Sequence, residues 1–200
     1  MVFWSLLHQN HDWQGGQTLP LPITGKRRDM STAIVDSPHN EHTRAWWFLD
    51  LLVVEHRCAP GMETVVLEMS LPVGSSPALH VHRSLDDTWY ILDGKMVVRC
   101  GDDTLVVGAG YWVSMPRGVP HTFRVVGDHE ARILLVHDNA SFRDFIRTLG
   151  VPAAAHVVPA KPVFPPMDEL ARVASAHDLT PIGPPMSADD ADAILAASVH

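Results

Sequence analysis

The sequence predicts an all-β fold, an antiparallel sandwich or barrel, followed by a short helical C-terminal extension. Three observations point there. From Trp46 to Val136, short runs rich in β-branched and aromatic residues recur about every ten residues. Turn signals separate these runs, and no helical period intervenes, as expected of an antiparallel sheet protein. After His137 the spacing of apolar residues changes to that of an amphipathic helix.

Taken in order, residues 1–45 are polar, broken by Gly15-Gly16, Pro20 and Pro22, and read as an N-terminal arm without sustained period. Residues 46–137 read as the barrel. Its expected strands are Trp46–Val54, Glu63–Met69, Asp87–Leu92, Met96–Cys100, Thr104–Val107, Tyr111–Met115, Thr122–Val126 and Ala131–Val136. Asp93-Gly94 predicts a tight type I′ hairpin, which needs positive φ at both central residues. Residues 138–200 read as a proline-rich helical extension. Phe142, Phe145, Ile146 and Leu149 mark its first helix, with Ser141 as the expected cap and Gly150 as the stop. Met167, Leu170, Val173, Ala174 and His177 mark a second, and Gly183-Pro184-Pro185 ends that segment. Ser187 is placed to cap a third helix running to Ala197. Such a tail is expected outside the barrel, covering a sheet face or a partner subunit.

Composition narrows the function. With 15 Lys+Arg against 23 Asp+Glu, the net charge is −8, which repels phosphate backbones and disfavours nucleic acid as a partner. Lys26-Arg27-Arg28 is too short a basic cluster to reverse that. No apolar run approaches the roughly 20 residues of a membrane span. Met1 to Leu7 lacks a basic flank and meets His8-Gln9-Asn10-His11 too early for a signal peptide. Cys58 and Cys100 do not make a disulfide framework. A cytoplasmic protein with reduced thiols is the expectation. Phosphate-loop, dinucleotide, nucleophile-elbow, HExxH and CxxC patterns are missing from the sequence.

The 13 histidines prompt a search for metal ligands. His80 and His82 are two apart, so on a strand both imidazoles share one face. Asp87, Trp89 and Ile91 share a face of the next strand, and His121, Phe123 and Val125 share a face further on. Three imidazoles and one carboxylate converging inside an apolar barrel suit a divalent transition metal. His8, His11, His39, His42, His56, His129, His137, His156, His177 and His200 show no comparable spacing and read as surface or packing residues.

These residues resemble a known family. Gly74-x5-His80-x-His82-x4-Asp87-x6-Gly94 is similar to the first cupin motif, and Gly110-x5-Pro116-x-Gly118-x2-His121 to the second. The resemblance implies an antiparallel jelly-roll barrel. It also implies a metal held by His80, His82, Asp87 and His121. The chain departs from the pattern twice: Asp87 stands where Glu is usual, and Val125 where the second motif usually ends in Asn. Asp86 is the rival acidic ligand, but Asp87 fits the spacing to Gly94 and the parity of Trp89 and Ile91. The helical tail resembles that of small quercetin dioxygenase-like monocupins.

That resemblance implies a metal-dependent oxidoreductase of dioxygenase type, acting on a small hydroxylated or enolisable substrate. Iron, manganese, nickel and zinc all accept this ligand set. Asp87 is the expected catalytic base, and Trp89, Ile91, Phe123 and Val125 the expected substrate pocket. Two alternatives stay open: a non-oxidative isomerase or cyclase that uses the metal as a Lewis acid, and a catalytically silent binding module. A homodimer is the expected assembly, because jelly-roll sheets have edges to cover.

Overall fold

Alternation along the strands sets the architecture. The computed structural model describes residues 44–59 and 61–198. All of them belong to the second of two units, Met1–Met30 and Ser31–His200, into which the chain divides. The arm expected over 1–45, apart from its last two residues, lies outside the described residues, as do His8, His11, His39, His42 and His200.

Ten strands come first: β1 (Arg44–Phe48), β2 (Leu51–His56), β3 (Val65–Leu71), β4 (Ala78–His82), β5 (Asp87–Asp93), β6 (Lys95–Cys100), β7 (Asp103–Gly108), β8 (Trp112–Met115), β9 (His121–Val126) and β10 (Ala131–His137). The C-terminal segment adds α1 (Ser141–Leu149), β11 (Val151–Pro152), α2 (Met167–Ala176), β12 (Leu179–Pro185) and α3 (Ala188–Ala197). The strands form a seven-stranded sheet, β11-β1-β2-β3-β10-β5-β8, and a five-stranded sheet, β12-β4-β9-β6-β7, all antiparallel. The fold is a jelly roll. In β3, Val65, Leu67, Met69 and Leu71 point inward while the residues between them are half-buried. They meet Met96, Val98, Phe123 and Val125 from the opposite sheet in one core. Burying each such side chain is worth about 1.5–3 kcal/mol.

Four expectations change in detail. The run Trp46–Val54 is two strands, because Leu49 takes a left-handed φ of 56° and turns the chain. Asp93-Gly94 is no type I′ hairpin. β5 and β6 lie in different sheets, so the dipeptide passes the chain from one sheet to the other. Gly94 alone has positive φ there, at 80°, and a Cβ on it would lie 2.6 Å from the Cα of Ala131. Ser141 does not cap α1. It is the first helical residue; its N–H donates to Asn139 Oδ1 at 3.0 Å and its hydroxyl to the His177 carbonyl at 2.8 Å. Finally, the segment around Gly183-Pro184-Pro185 is strand β12, which pairs with β4. Its prolines lack N–H donors, which suits a strand at a sheet edge.

The extension divides its work. Ser187 caps α3, accepting from the Asp190 N–H at 3.1 Å. With Met186, α3 covers Val97 and Val126 on the outer face of the smaller sheet. By contrast, α1 and α2 bring Phe145, Ile146, Val173 and Ala174 into the main core. Among the described residues no helix is long and apolar enough to cross a membrane. Cys58 and Cys100 are both free thiols.

Candidate metal centre

Antiparallel pairing brings the polar inward residues to one end of the barrel. β5 starts inward with Asp87 before Trp89 and Ile91, and β9 with His121 before Phe123 and Val125. β10 runs the other way and finishes inward on His137. On β4, His80 pairs in register with His121 and His82 lies two residues on. The result is an apolar core that turns polar at a single level.

His80, His82, Asp87 and His121 are all buried, and each offers one ligand atom within 4.8 Å of the others. Two ligands about 2.1 Å from a shared ion can stand roughly 4 Å apart, so the spread is close to what coordination needs. The imidazole centroids are 4.4 Å apart for His80 and His121, 5.0 Å for His80 and His82, and 5.4 Å for His82 and His121.

Each ring is fixed through Nδ1. His80 donates to the Ala78 carbonyl at 2.8 Å and His121 to the Val119 carbonyl at 2.9 Å, in both cases two residues back. His82 donates to the Asp178 carbonyl at 3.0 Å, from the α2–β12 junction. With hydrogen on Nδ1, every Nε2 carries a lone pair, the tautomer a metal ligand requires. The Nε2 of His121 is buried without a hydrogen-bond partner among the described residues. Leaving such an atom unpaired costs about 1–3 kcal/mol. A cation at that point would satisfy it, so the donors fit a metal.

The electrostatics agree. Burial, reinforced by the neighbouring His121, lowers the His80 pKa to about 4, and burial lowers that of His82. Both rings therefore stay neutral near pH 7 and keep their lone pairs. Burial pushes the Asp87 carboxyl up, but His121 and His137 outweigh it and hold it below the usual carboxylate range. Asp87 Oδ2 lies 3.6 Å from His121 Nε2, while Oδ1 accepts from Trp89 Nε1 at 2.6 Å and from His137 Nε2 at 2.8 Å. Asp86, the rival in sequence, lies on the exposed side. It accepts from the Arg117 N–H at 2.9 Å and pairs with its guanidinium at 2.9 Å.

A cavity of about 440 Å³ opens against His80, His82 and Asp87. It is within the range of small-ligand pockets. Trp89 and Phe123 line it and meet edge to face at 5.1 Å. Ile91 and Val125 are not among the lining residues; both are completely buried deeper in the core. Much of the remaining wall comes from the extension: Phe142, Phe145, Phe164, Met167, Leu170 and Leu179. Among the described residues no lysine or arginine lines the cavity.

Residues 67–137 match the cupin domain family. This segment is a cupin domain. It runs from β3 to β10 and contains all four donors. The chain is 26% identical over 120 residues to the quercetin 2,3-dioxygenase of Bacillus subtilis (strain 168), covering 60% of this chain and 35% of that protein. It is 28% identical over 74 residues to an uncharacterised protein of Methanocaldococcus jannaschii, covering 37% of this chain and 59% of that one. The chain thus spans about a third of the first relative and less than two thirds of the second. Among solved structures, a predicted oxalate decarboxylase from Thermotoga maritima overlaps 53% of this chain and 99% of its own, at 20% identity and a TM-score of 0.46.

Sequence reasoning missed His137, Asp178 and the aromatic wall of the extension. His137 carried no spacing signal, because its relation to Asp87 is a register between β5 and β10. Asp178 is 96 residues from His82, and only the chain's return along β4 joins them.

Proposed function

We propose that the protein is a metal-dependent cupin enzyme of dioxygenase type, acting on a small hydroxylated or enolisable organic molecule. One observation carries this reading: four buried donors meet beside an apolar cavity that no lysine or arginine lines among the described residues. His80, His82, Asp87 and His121 would hold the ion; iron, manganese, nickel and zinc all suit three imidazoles and a carboxylate. When bound, it supplies open coordination positions for a substrate oxygen and dioxygen.

The chain's own groups supply recognition. Among the described residues no lysine or arginine lines the cavity, so apart from the ion itself no cationic side chain is placed to pair with a carboxylate or phosphate. Trp89, Phe123, Phe142 and Phe145 instead favour a neutral, planar molecule and exclude water from the donors. Asp87 is the proposed proton acceptor. A carboxylate held low is a weak base, so it serves an acidic enol or phenol rather than an alkyl hydroxyl. The likeness to a quercetin 2,3-dioxygenase supports the same reaction type.

The test is oxygen consumption by protein loaded in turn with iron(II), manganese, nickel and zinc, against flavonols, catechols and β-diketones. Uptake is expected with at least one redox-active metal and none with zinc. Turnover under strict anaerobiosis would transfer the reading to Lewis-acid chemistry. Stoichiometric binding without any product would leave a binding module.

A further inference from the structure

We infer that His137 is a positioning residue of the metal centre, holding the Asp87 carboxylate so that Oδ1 is saturated and Oδ2 alone faces the three imidazoles. The inference rests on the reading of the four donors as a metal site. His137 lies two residues beyond Leu135 on β10, and Asp87 two residues before its partner Trp89 on β5. The register therefore sets the two side chains opposite each other, and His137 Nε2 donates to Oδ1 at 2.8 Å. Trp89 Nε1 donates to the same oxygen at 2.6 Å. Two donors on one oxygen remove the rotation by which a carboxylate exchanges its oxygens, so Oδ2 is presented in a single orientation.

A packing role would not select this residue. The preceding inward positions of β10 are Ala131, Ile133 and Leu135, and an apolar side chain at 137 would continue them. His137 instead leaves its Nδ1 buried without a hydrogen-bond partner among the described residues. An unpaired buried polar atom is a cost that an aliphatic residue avoids. What the imidazole gives in return is the bond to Asp87. Phe142 packs against it, ring centroids 5.7 Å apart, and the ring is 2% exposed, so water does not compete for that bond. Asp87 is one methylene shorter than glutamate, so its carboxylate has little slack with which to find an ion unaided. A partner that fixes it matters correspondingly more.

The experiment is titration of metal-free protein with cobalt(II), reading both the dissociation constant and the visible ligand-field spectrum. Four proteins are compared: wild type, His137→Leu, His137→Gln and Trp89→Phe. Loss of a partner behind a metal ligand costs about 10–100-fold in affinity, so His137→Leu should weaken cobalt by that factor and change its spectrum. His137→Gln keeps an N–H donor and should recover to within about threefold of wild type. Wild-type affinity and spectrum in His137→Leu would overturn the inference, and so would equal weakening by Leu and Gln. If His137→Leu fails to fold, Trp89→Phe decides, because it removes the other donor to Oδ1 and retains an aromatic ring. An unchanged spectrum and affinity there would also overturn it. Wild-type protein that takes up no cobalt would remove the metal reading itself, which is a distinguishable failure.

Discussion

The two walls of the cavity are built differently. The wall formed by β4, β5 and β9 carries the candidate metal donors: three imidazoles and a carboxylate, two of the rings fixed by carbonyls two residues back along the chain. The wall formed by α1, α2 and β12 is apolar, and its main polar link to the donors passes through Asp178. That residue sits at a left-handed φ of 64°, with its carbonyl accepting from His82. Its carboxylate accepts from the Ser84 N–H at 2.7 Å and from the Arg83 N–H at 3.0 Å. The difference separates the candidate metal donors from the apolar wall that faces them. The donors come from short motifs, and the wall is assembled from a distant segment by tertiary packing.

The comparison breaks most completely at the donors. His121→Ala should remove most of the metal, about 100-fold or more in affinity, because three protein ligands cannot grip as four do. Elemental analysis of protein purified without chelators reads this directly, and wild-type stoichiometry in the variant would sink the assignment.

Phe145→Ala sharpens the contrast from the other side. Phe145 is buried against Phe48 at 5.1 Å, so truncation should cost about 3–5 kcal/mol in a denaturant melt. Metal content should persist, while affinity for an apolar aromatic ligand falls. Parallel loss of metal would mean that the two walls are not separable.

Acid tests the donors through the fold. An unfolded chain takes up a proton at residue 80 near pH 6.5, whereas the folded protein refuses it until about pH 4. Between those values the unfolded state binds more protons, so the metal-free protein should lose stability as pH falls, by up to a few kcal/mol. The His80→Ala variant should show a shallower slope in Tm against pH, and equal slopes would contradict the burial argument.

The smallest effect is expected at Asp86. Its exposed pairing with Arg117 holds its pKa down to about 2, yet screened surface pairs contribute little. Asp86→Ala should leave the Tm and the metal ratio within error of wild type, whereas Asp87→Ala lowers the metal ratio.

Much of this was legible before any coordinates. The strands between residues 63 and 136, except β4, followed from runs of β-branched and aromatic residues between turn signals, and the helices from Phe142–Leu149, Met167–Ala174 and the Ser187 cap. His80, His82, Asp87 and His121 were singled out by strand parity and by the resemblance to the two cupin motifs, and the structure brings them together. The Asp93-Gly94 hairpin was misread because turn chemistry reports local backbone preference and not which sheet receives the next strand. Strand β12 was hidden because Pro181, Pro184 and Pro185 look like a linker, and only an edge position makes them acceptable. Ile91 and Val125 share faces with Asp87 and His121, yet depth along the strand, which parity does not encode, places them below the cavity.

By itself, then, the sequence determined the strand alternation, the apolar faces of the helices and the two short motifs that carry the candidate donors, since each of these depends on residues within a few positions of one another. The tertiary structure alone decided that His137 reaches Asp87, that Asp178 steadies His82, and that a C-terminal segment walls the cavity. Those contacts join residues about 50 or more positions apart. They exist only once antiparallel pairing has fixed which strand ends share a level, and no local preference carries that information.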